Sequence, residues 1–215
     1  MFSLIKQKVV RIFVPPGMQP LVDWKRPEIL NKLKGETHAN HMMLQDHSAF
    51  NGLTGKAPDK KQYAWLLQKF WGLHKPLEEK LGERSEWNHL SFNFDERRKV
   101  NLLQKDVQAL DAWGNDLPVC KSLPKIETFD DALGCMYVLE GSTLGGAVIS
   151  RNLEKTLGIK SENGGLYYNC YGAGKELGEK FKQMAEFIGR NHKDADRVVR
   201  SANETFIAIN NWLSV

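Results

Sequence analysis

The chain has 215 residues, of which 41% are hydrophobic and 26% are charged, and its formal net charge is +4. These values are ordinary for a globular protein of one domain, and they exclude a disordered chain and a coiled coil. The basic excess is mild and spread along the whole sequence, so it does not predict a nucleic-acid-binding patch.

Residues 1–22 are rich in proline and glycine, which predicts a loosely held N-terminal arm before a domain over 23–215. They lack the uninterrupted apolar segment of a signal peptide, and no stretch reaches the roughly 20 apolar residues of a membrane-spanning helix. The three cysteines, Cys120, Cys135 and Cys170, form no CxxC pair, which argues against a disulfide framework. We therefore expect a soluble, cytoplasmic protein.

From Pro27 onward, apolar residues recur at three- and four-residue spacing, which predicts one helix after another. The predicted helices cover about 27–50, 58–77, 95–113, 128–157, 173–192 and 194–213. Residues 166–171 are the only candidate strand. The pattern predicts an all-α single domain of six to eight helices.

The segment Gly141-Ser142-Thr143-Leu144-Gly145-Gly146 interrupts an apolar helical pattern with three glycines. Each glycine inside a helix costs about 0.5 to 1 kcal/mol relative to alanine, so some other requirement must favour the missing side chains. A flat ligand lying against the helix would explain them. Two alternatives are close packing against another helix and a break between two helices.

A second segment places His41 on the apolar stripe of the first predicted helix, whereas His38 is turned about 60° away. Lys34 lies seven residues earlier, on nearly the same face and roughly 10 Å along the axis. A metal at His41 would therefore have room for an anionic group beside Lys34, which is the arrangement that haem requires. The alternative is a histidine with a purely structural role.

At these residues the sequence resembles the heme oxygenases, and in particular the bacterial, biliverdin-producing members. The pattern L-K-x-x-T-x-x-x-H is filled by Leu33, Lys34, Thr37 and His41, and residues 137–146 read YVLEGSTLGG. The resemblance extends from about residue 29 to residue 213. It implies an all-α fold in which haem is sandwiched between a proximal helix and a kinked, glycine-rich distal helix.

The resemblance also implies the roles of individual residues. His41 would be the axial ligand of the haem iron, and Gly141, Ser142 and Gly145 would form the catalytic distal face. Haem would be both cofactor and substrate, cleaved to biliverdin, carbon monoxide and ferrous iron by dioxygen and by electrons from a ferredoxin or reductase. The other residues implied to bind haem are Lys34, Thr37, Tyr137, Gly146, Lys182 and Phe206.

Three positions depart from the family pattern. Ser142 stands where many members have an acidic residue that organises water, and Gln45 stands where a carboxylate often accepts the other ring proton of the proximal histidine. Glu186 replaces a basic residue one turn beyond Lys182. We therefore expect a differently organised water network and a more neutral proximal imidazole with weaker support from Gln45. Whether Lys182 helps to hold the haem propionates is left open.

Other interpretations remain open at this stage. A non-catalytic haem carrier would use the same His41 and Lys34. A di-iron oxidase needs repeated Glu-x-x-His pairs, and Glu86 with His89 is the only such pair. His38 with His41 has the spacing of a zinc site but no third ligand, and a helical interaction protein would need no ligand. His47, His74 and His192 are expected at the surface.

Overall fold

The computed structural model describes residues 24–51, 53, 58–172 and 175–215. In these residues the chain forms eight α-helices and no strand, which confirms the all-α, single-domain prediction. The predicted arm over 1–22 lies outside the described residues. The helices are α1 (Glu28–Glu36), α2 (His38–Gln45), α3 (Lys60–Gly82), α4 (Glu86–His89), α5 (Val100–Ala109), α6 (Phe129–Leu157), α7 (Lys175–Asn191) and α8 (Ala195–Leu213).

Helix α6 is the centre of the bundle and makes its most extensive contact with α8. Its N-cap is Thr128, which forms a capping box with Asp131, and the predicted start at residue 128 agrees with this. The two helices approach closely at Gly134, where a Cβ would overlap the carbonyl oxygen of Val198. An 18-residue window of α6 has mean hydropathy 1.4, and 61% of that window is buried inside the bundle. Its apolar character is therefore that of a core helix.

The first predicted helix is divided in two at Thr37. The hydroxyl of Thr37 donates a hydrogen bond to the carbonyl oxygen of Leu33 at 2.7 Å. A side-chain bond of this kind competes with the backbone hydrogen bonds of the helix and bends it. The backbone N–H of His41 still donates to the carbonyl oxygen of Thr37 at 2.9 Å. The predicted helix over 27–50 is therefore α1, a turn and α2, followed by a 3₁₀ turn at Ser48–Phe50.

The prediction of a strand at 166–171 is wrong, because this segment forms turns. The buried carboxylate of Asp106 accepts the backbone N–H groups of Leu166 and Tyr167 at 2.8 and 2.7 Å. The phenol of Tyr63 donates to the carbonyl oxygen of Gly164 at 2.8 Å. Side chains from α3 and α5 therefore satisfy the backbone groups that a neighbouring strand would otherwise pair.

Helix α3 continues through Pro76, which has no N–H to donate to the carbonyl oxygen of Gly72. That oxygen accepts the backbone N–H of Cys120 at 2.9 Å instead. The predicted helix over 95–113 is shorter in the structure, since Asp95–Arg97 forms a separate 3₁₀ turn before α5.

Candidate functional site

The two segments singled out from the sequence meet at a contact between Thr37 and Tyr137. Thr37 joins α1 to α2, and Tyr137 lies on α6. Burial raises the pKa of Tyr137, and the nearby Thr37 side chain opposes that rise. His41 follows Thr37 by one helical turn, and Gly141 follows Tyr137 by one helical turn. The structure therefore brings the predicted proximal and distal segments to a common junction.

His41 lies half-buried on α2, and its ring is packed edge-on against Phe206 of α8, with 5.7 Å between the ring centroids. Burial, and to a smaller extent the nearby His38, lower the pKa of His41. The neutral imidazole is thus favoured, and this is the form that binds a metal. No residue of α2 is buried, unlike the core helices around it. The helix that carries His41 therefore keeps a face that the described residues do not cover.

The glycines of the 141–146 segment have different surroundings. A Cβ on Gly145 would meet no atom within 4 Å, and one on Gly141 would meet only the ring edge of Phe181 at 3.9 Å. A Cβ on Gly146, in contrast, would lie 2.8 Å from Cδ1 of Tyr168. Close packing thus explains the glycine at 146 but not those at 141 and 145. The alternative of a break between two helices is wrong, since α6 is continuous through this segment.

Ser142 is exposed beside these glycines. Its hydroxyl donates to the carbonyl oxygen of Leu139 at 2.7 Å, and the hydroxyl of Thr143 donates to that of Glu140 at 2.6 Å. Two such bonds in succession favour bending of the helix at the point where the sequence predicts a kink. The proton of the Ser142 hydroxyl is directed back into the helix, which leaves the oxygen lone pairs on the open side.

The two predicted cationic residues differ in exposure, since Lys182 is half-buried on α7. Lys34 is exposed and lines an open groove of about 400 Å³ together with Asn31, Gly35 and His38. The ammonium group of Lys182 is 3.9 Å from the carboxylate of Glu179 on the same helix. The contacts of Lys34 and Lys182 with ligand carboxylates therefore stay predictions.

Glu186, which replaces a basic residue of the family pattern, has a partner in the structure. Its carboxylate accepts the indole N–H of Trp24 at 3.0 Å. This acidic residue thus ties the first described residue of the chain to α7.

The sequence analysis missed a buried ionic cluster beneath the glycine-rich segment. The carboxylate of Glu140 accepts from Arg97 at 2.8 Å and from the phenol of Tyr171 at 2.9 Å. The ammonium group of Lys99 lies 3.4 Å from the same carboxylate and donates to the Tyr171 oxygen at 2.6 Å. A glutamate inside the apolar run before Gly141 was a signal for this cluster, because a buried carboxylate requires cations or hydrogen-bond donors.

His74 is a second missed residue, and its predicted surface position is wrong. The side chain is buried in α3, where Nδ1 is 2.9 Å from the carboxylate of Glu78 and Nε2 is 3.4 Å from the phenol of Tyr167. His74 follows Phe70 by four residues and precedes Leu77 by three. This spacing puts it on the apolar stripe of its helix and could have identified it as buried.

In the part of the chain that the structure describes, no group of three or more His, Cys, Asp and Glu side chains could hold a metal ion. The di-iron and zinc interpretations therefore gain no support from it.

The comparisons with known proteins agree with this fold. The family model described as heme oxygenase matches residues 28–214. Among solved structures, heme oxygenase-1 from the cyanobacterium Synechocystis, in complex with heme, is 14% identical with a TM-score of 0.69, over 86% of this chain and 90% of that one. Heme oxygenase from Leptospira interrogans is 14% identical with a TM-score of 0.70, over 86% of this chain and 98% of that one.

The NO- and CO-bound heme oxygenase from Neisseria meningitidis is also similar, with 19% identity and a TM-score of 0.65, over 87% of this chain and 92% of that one. These three structures share the fold of this chain. No curated protein sequence matches it. Since the family model spans nearly all of the described residues, the chain belongs to the heme oxygenase family.

Proposed function

We propose that this protein is a cytoplasmic heme oxygenase that binds haem between His41 and the glycine-rich segment of α6. It cleaves the macrocycle to biliverdin, carbon monoxide and ferrous iron, using dioxygen and electrons from a ferredoxin or reductase. Haem supplies the redox-active iron and is also the molecule that is oxidised. Membership of the family supports the proposal at the level of haem degradation.

One observation carries the proposal for this chain. Gly141 and Gly145 lie one turn apart on α6 with no packing need for glycine, near a junction from which α2 presents a neutral His41. A planar ligand needs a helix face without side chains. A histidine that binds iron must present a neutral imidazole. The residues present therefore fit haem.

The remaining residues have roles that follow from their positions. Phe206 packs against the edge of the His41 ring and limits its rotation. Tyr137 and Lys34 supply a phenol and an ammonium group for the haem carboxylates, and Lys182 supplies a second ammonium group. Thr37 holds the junction through its hydrogen bond to the carbonyl oxygen of Leu33 and its proximity to Tyr137.

The test adds hemin to the purified protein and then ascorbate in air with catalase present. We expect a Soret band to form, then to decay as a biliverdin band grows. The variant His41→Ala should lose both the haem spectrum of the parent and the cleavage. The variant His38→Ala is the matched control, because it removes an exposed histidine of the same helix, and it should cleave haem like the parent.

A stable haem spectrum that changes only in redox state would contradict the proposal and indicate a haem carrier. A haem carrier is the alternative function, and Ser142, at a position where many family members have an acidic residue, is compatible with it. An equal loss of the haem spectrum in both histidine variants would contradict the assignment of His41 as the iron ligand.

A further inference from the structure

One guanidinium group joins the glycine-rich helix to α7. Nη1 of Arg97 donates to the carboxylate of Glu140 on α6 at 2.8 Å and to the carbonyl oxygen of Lys180 on α7 at 3.1 Å. Nη2 of Arg97 donates to the side-chain oxygen of Gln183, also on α7, at 3.1 Å. Arg97 therefore links the two helices directly before Gly141.

This link is buried at its α6 end. The exposed fractions are 6% for Arg97 and 1% for Glu140. The same carboxylate accepts from the phenol of Tyr171 at 2.9 Å and lies 3.4 Å from the ammonium group of Lys99. Breaking one member of a buried ionic cluster is costly, and a planar guanidinium fixes the direction of each of its hydrogen bonds. The separation of α6 and α7 at this point is therefore firmly determined.

Phe181 lies on α7 between the two residues that Arg97 contacts there. A Cβ on Gly141 would be 3.9 Å from Cε2 of Phe181, and the ring centroids of Phe181 and Tyr137 are 6.5 Å apart. A Cβ on Gly145, one turn further along α6, would meet no atom within 4 Å. The open face of α6 thus has an aromatic border at its Gly141 end.

Such a border matters for a ligand with the shape of haem. An axial bond to His41 and a flat helix face without side chains both leave the macrocycle free to turn within its own plane. Only groups at the edge of the ring can stop this rotation. Lys34 and Lys182 have long side chains with many rotamers, whereas Phe181 is a half-buried ring with few torsion angles.

We propose that Phe181 sets the rotation of haem within its plane and thereby selects the meso carbon at which the macrocycle is cleaved. Arg97 is a positioning residue, because it acts by holding α7, and with it Phe181, beside α6. This inference rests on the proposed function, since it requires haem to lie against the glycine-rich segment.

The first test is the ¹H NMR spectrum of the full-length protein with ferric haem bound, which requires no turnover. The order of the shifted haem-methyl signals depends on the angle between the macrocycle and the plane of the axial imidazole. We expect Phe181→Leu to give a second order of methyl signals that the parent lacks. Arg97→Lys keeps the positive charge but loses the planar fork that reaches both helices, so it should give this second order too.

Two further variants separate this effect from a general loss of stability. Gln183 is exposed, so Gln183→Ala removes one arm of the link without disturbing the core, and it should show the second order at lower intensity. Phe187→Leu is the matched control on α7. The ring of Phe187 is buried against Trp87 and Phe92, with centroids 6.0 and 4.4 Å away, and its replacement should leave the order of the parent.

The second test separates the biliverdin isomers by chromatography after haem cleavage. The minor isomers should increase at least about threefold in Phe181→Leu and in Arg97→Lys, because a rotated ring presents a different meso carbon. Hemin affinity should change by less than about threefold, since the axial bond to His41 is retained. Phe187→Leu should give the isomers of the parent.

The methyl order and isomer ratio of the parent in both Phe181→Leu and Arg97→Lys would overturn the inference, while haem cleavage by the parent still stood. Equal changes in Phe187→Leu would overturn it as well, because they would show a general loosening of α7. If the parent binds hemin without cleaving it, the proposed function fails, and the NMR spectra still decide whether Phe181 sets the rotation. A parent that binds no hemin would contradict both proposals.

Discussion

Gly146 lies so close to Tyr168 that a Cβ at position 146 would be 2.8 Å from Cδ1 of the ring, whereas a Cβ on the preceding Gly145 would meet no atom within 4 Å. The two adjacent positions on α6 therefore carry glycine for different physical reasons. Packing against Tyr168 requires glycine at position 146. Glycine at position 145 leaves a face of α6 open.

This difference predicts opposite effects of alanine on stability. Gly145→Ala should raise the free energy of unfolding of the haem-free protein by about 0.5 to 1 kcal/mol, because alanine is the better helix former. Gly146→Ala should lower it by about 1 to 3 kcal/mol, because the new methyl group displaces the Tyr168 ring. Urea unfolding of both variants measures the two changes.

Hemin binding should separate the same pair of residues. Gly145→Ala should weaken hemin binding although the haem-free variant is more stable, since the methyl group occupies the face that the ring needs. Titration of the Soret band measures this. Parent-like affinity in Gly145→Ala would show that haem does not lie against this residue.

Glu140→Gln should lower the free energy of unfolding by about 3 to 5 kcal/mol. The change removes the carboxylate that compensates Arg97 and Lys99 in the interior, and buried cations without a counter-charge are strongly destabilising. The control is Glu79→Gln, which breaks an exposed ion pair with Lys75 and should cost less than about 0.5 kcal/mol. Equal losses in the two variants would contradict a stabilising role for the buried cluster.

Much of the fold could be predicted because its signals are local. The Thr128 cap of α6 and the Asp194 cap of α8 each bond to a backbone N–H three residues later, so a few neighbouring residues determine where these helices begin. The pairing of His41 with a glycine-rich segment was likewise visible as two short motifs. Their contact through Thr37 and Tyr137 required the structure.

The errors come from contacts that are distant in sequence. The alternation over 166–171 is typical of a strand, but its backbone is held by Asp106, which lies 60 residues before Leu166. His74 and Tyr167 are 93 residues apart, so no window of sequence contains both. The buried role of His74 depends on that contact, while its apolar position in α3 was available from spacing alone.

The net charge of +4 leads to a prediction about the encounter with the electron-donor protein. If the donor protein is acidic, electrostatic attraction speeds its encounter with this chain, and salt screens that attraction. Haem cleavage driven by a ferredoxin should therefore slow as NaCl rises from low to physiological concentration and beyond. Cleavage driven by ascorbate is the control and should change little, and equal salt dependence of the two would contradict electrostatic steering.

Asp106 should make the stability of the protein depend on pH in an unusual direction. Burial raises its pKa from 3.8 to about 6, against the opposing effect of the N–H groups of Tyr167 and Leu166. Between these values the unfolded chain has released the proton and the folded chain retains it. This group therefore stabilises the fold less as pH rises through that range, by up to about 3 kcal/mol.

Asp106→Asn isolates this contribution, since asparagine does not titrate and the other carboxylates are common to both proteins. Relative to the variant, the parent should be more stable at pH 4.5 than at pH 7, as measured by urea unfolding at the two values. Asp131, whose pKa is lowered mainly by its hydrogen bond with Arg197 against the effect of burial, has the opposite sign. A difference between parent and variant that stays constant with pH would show that Asp106 titrates alike in the folded and unfolded chains.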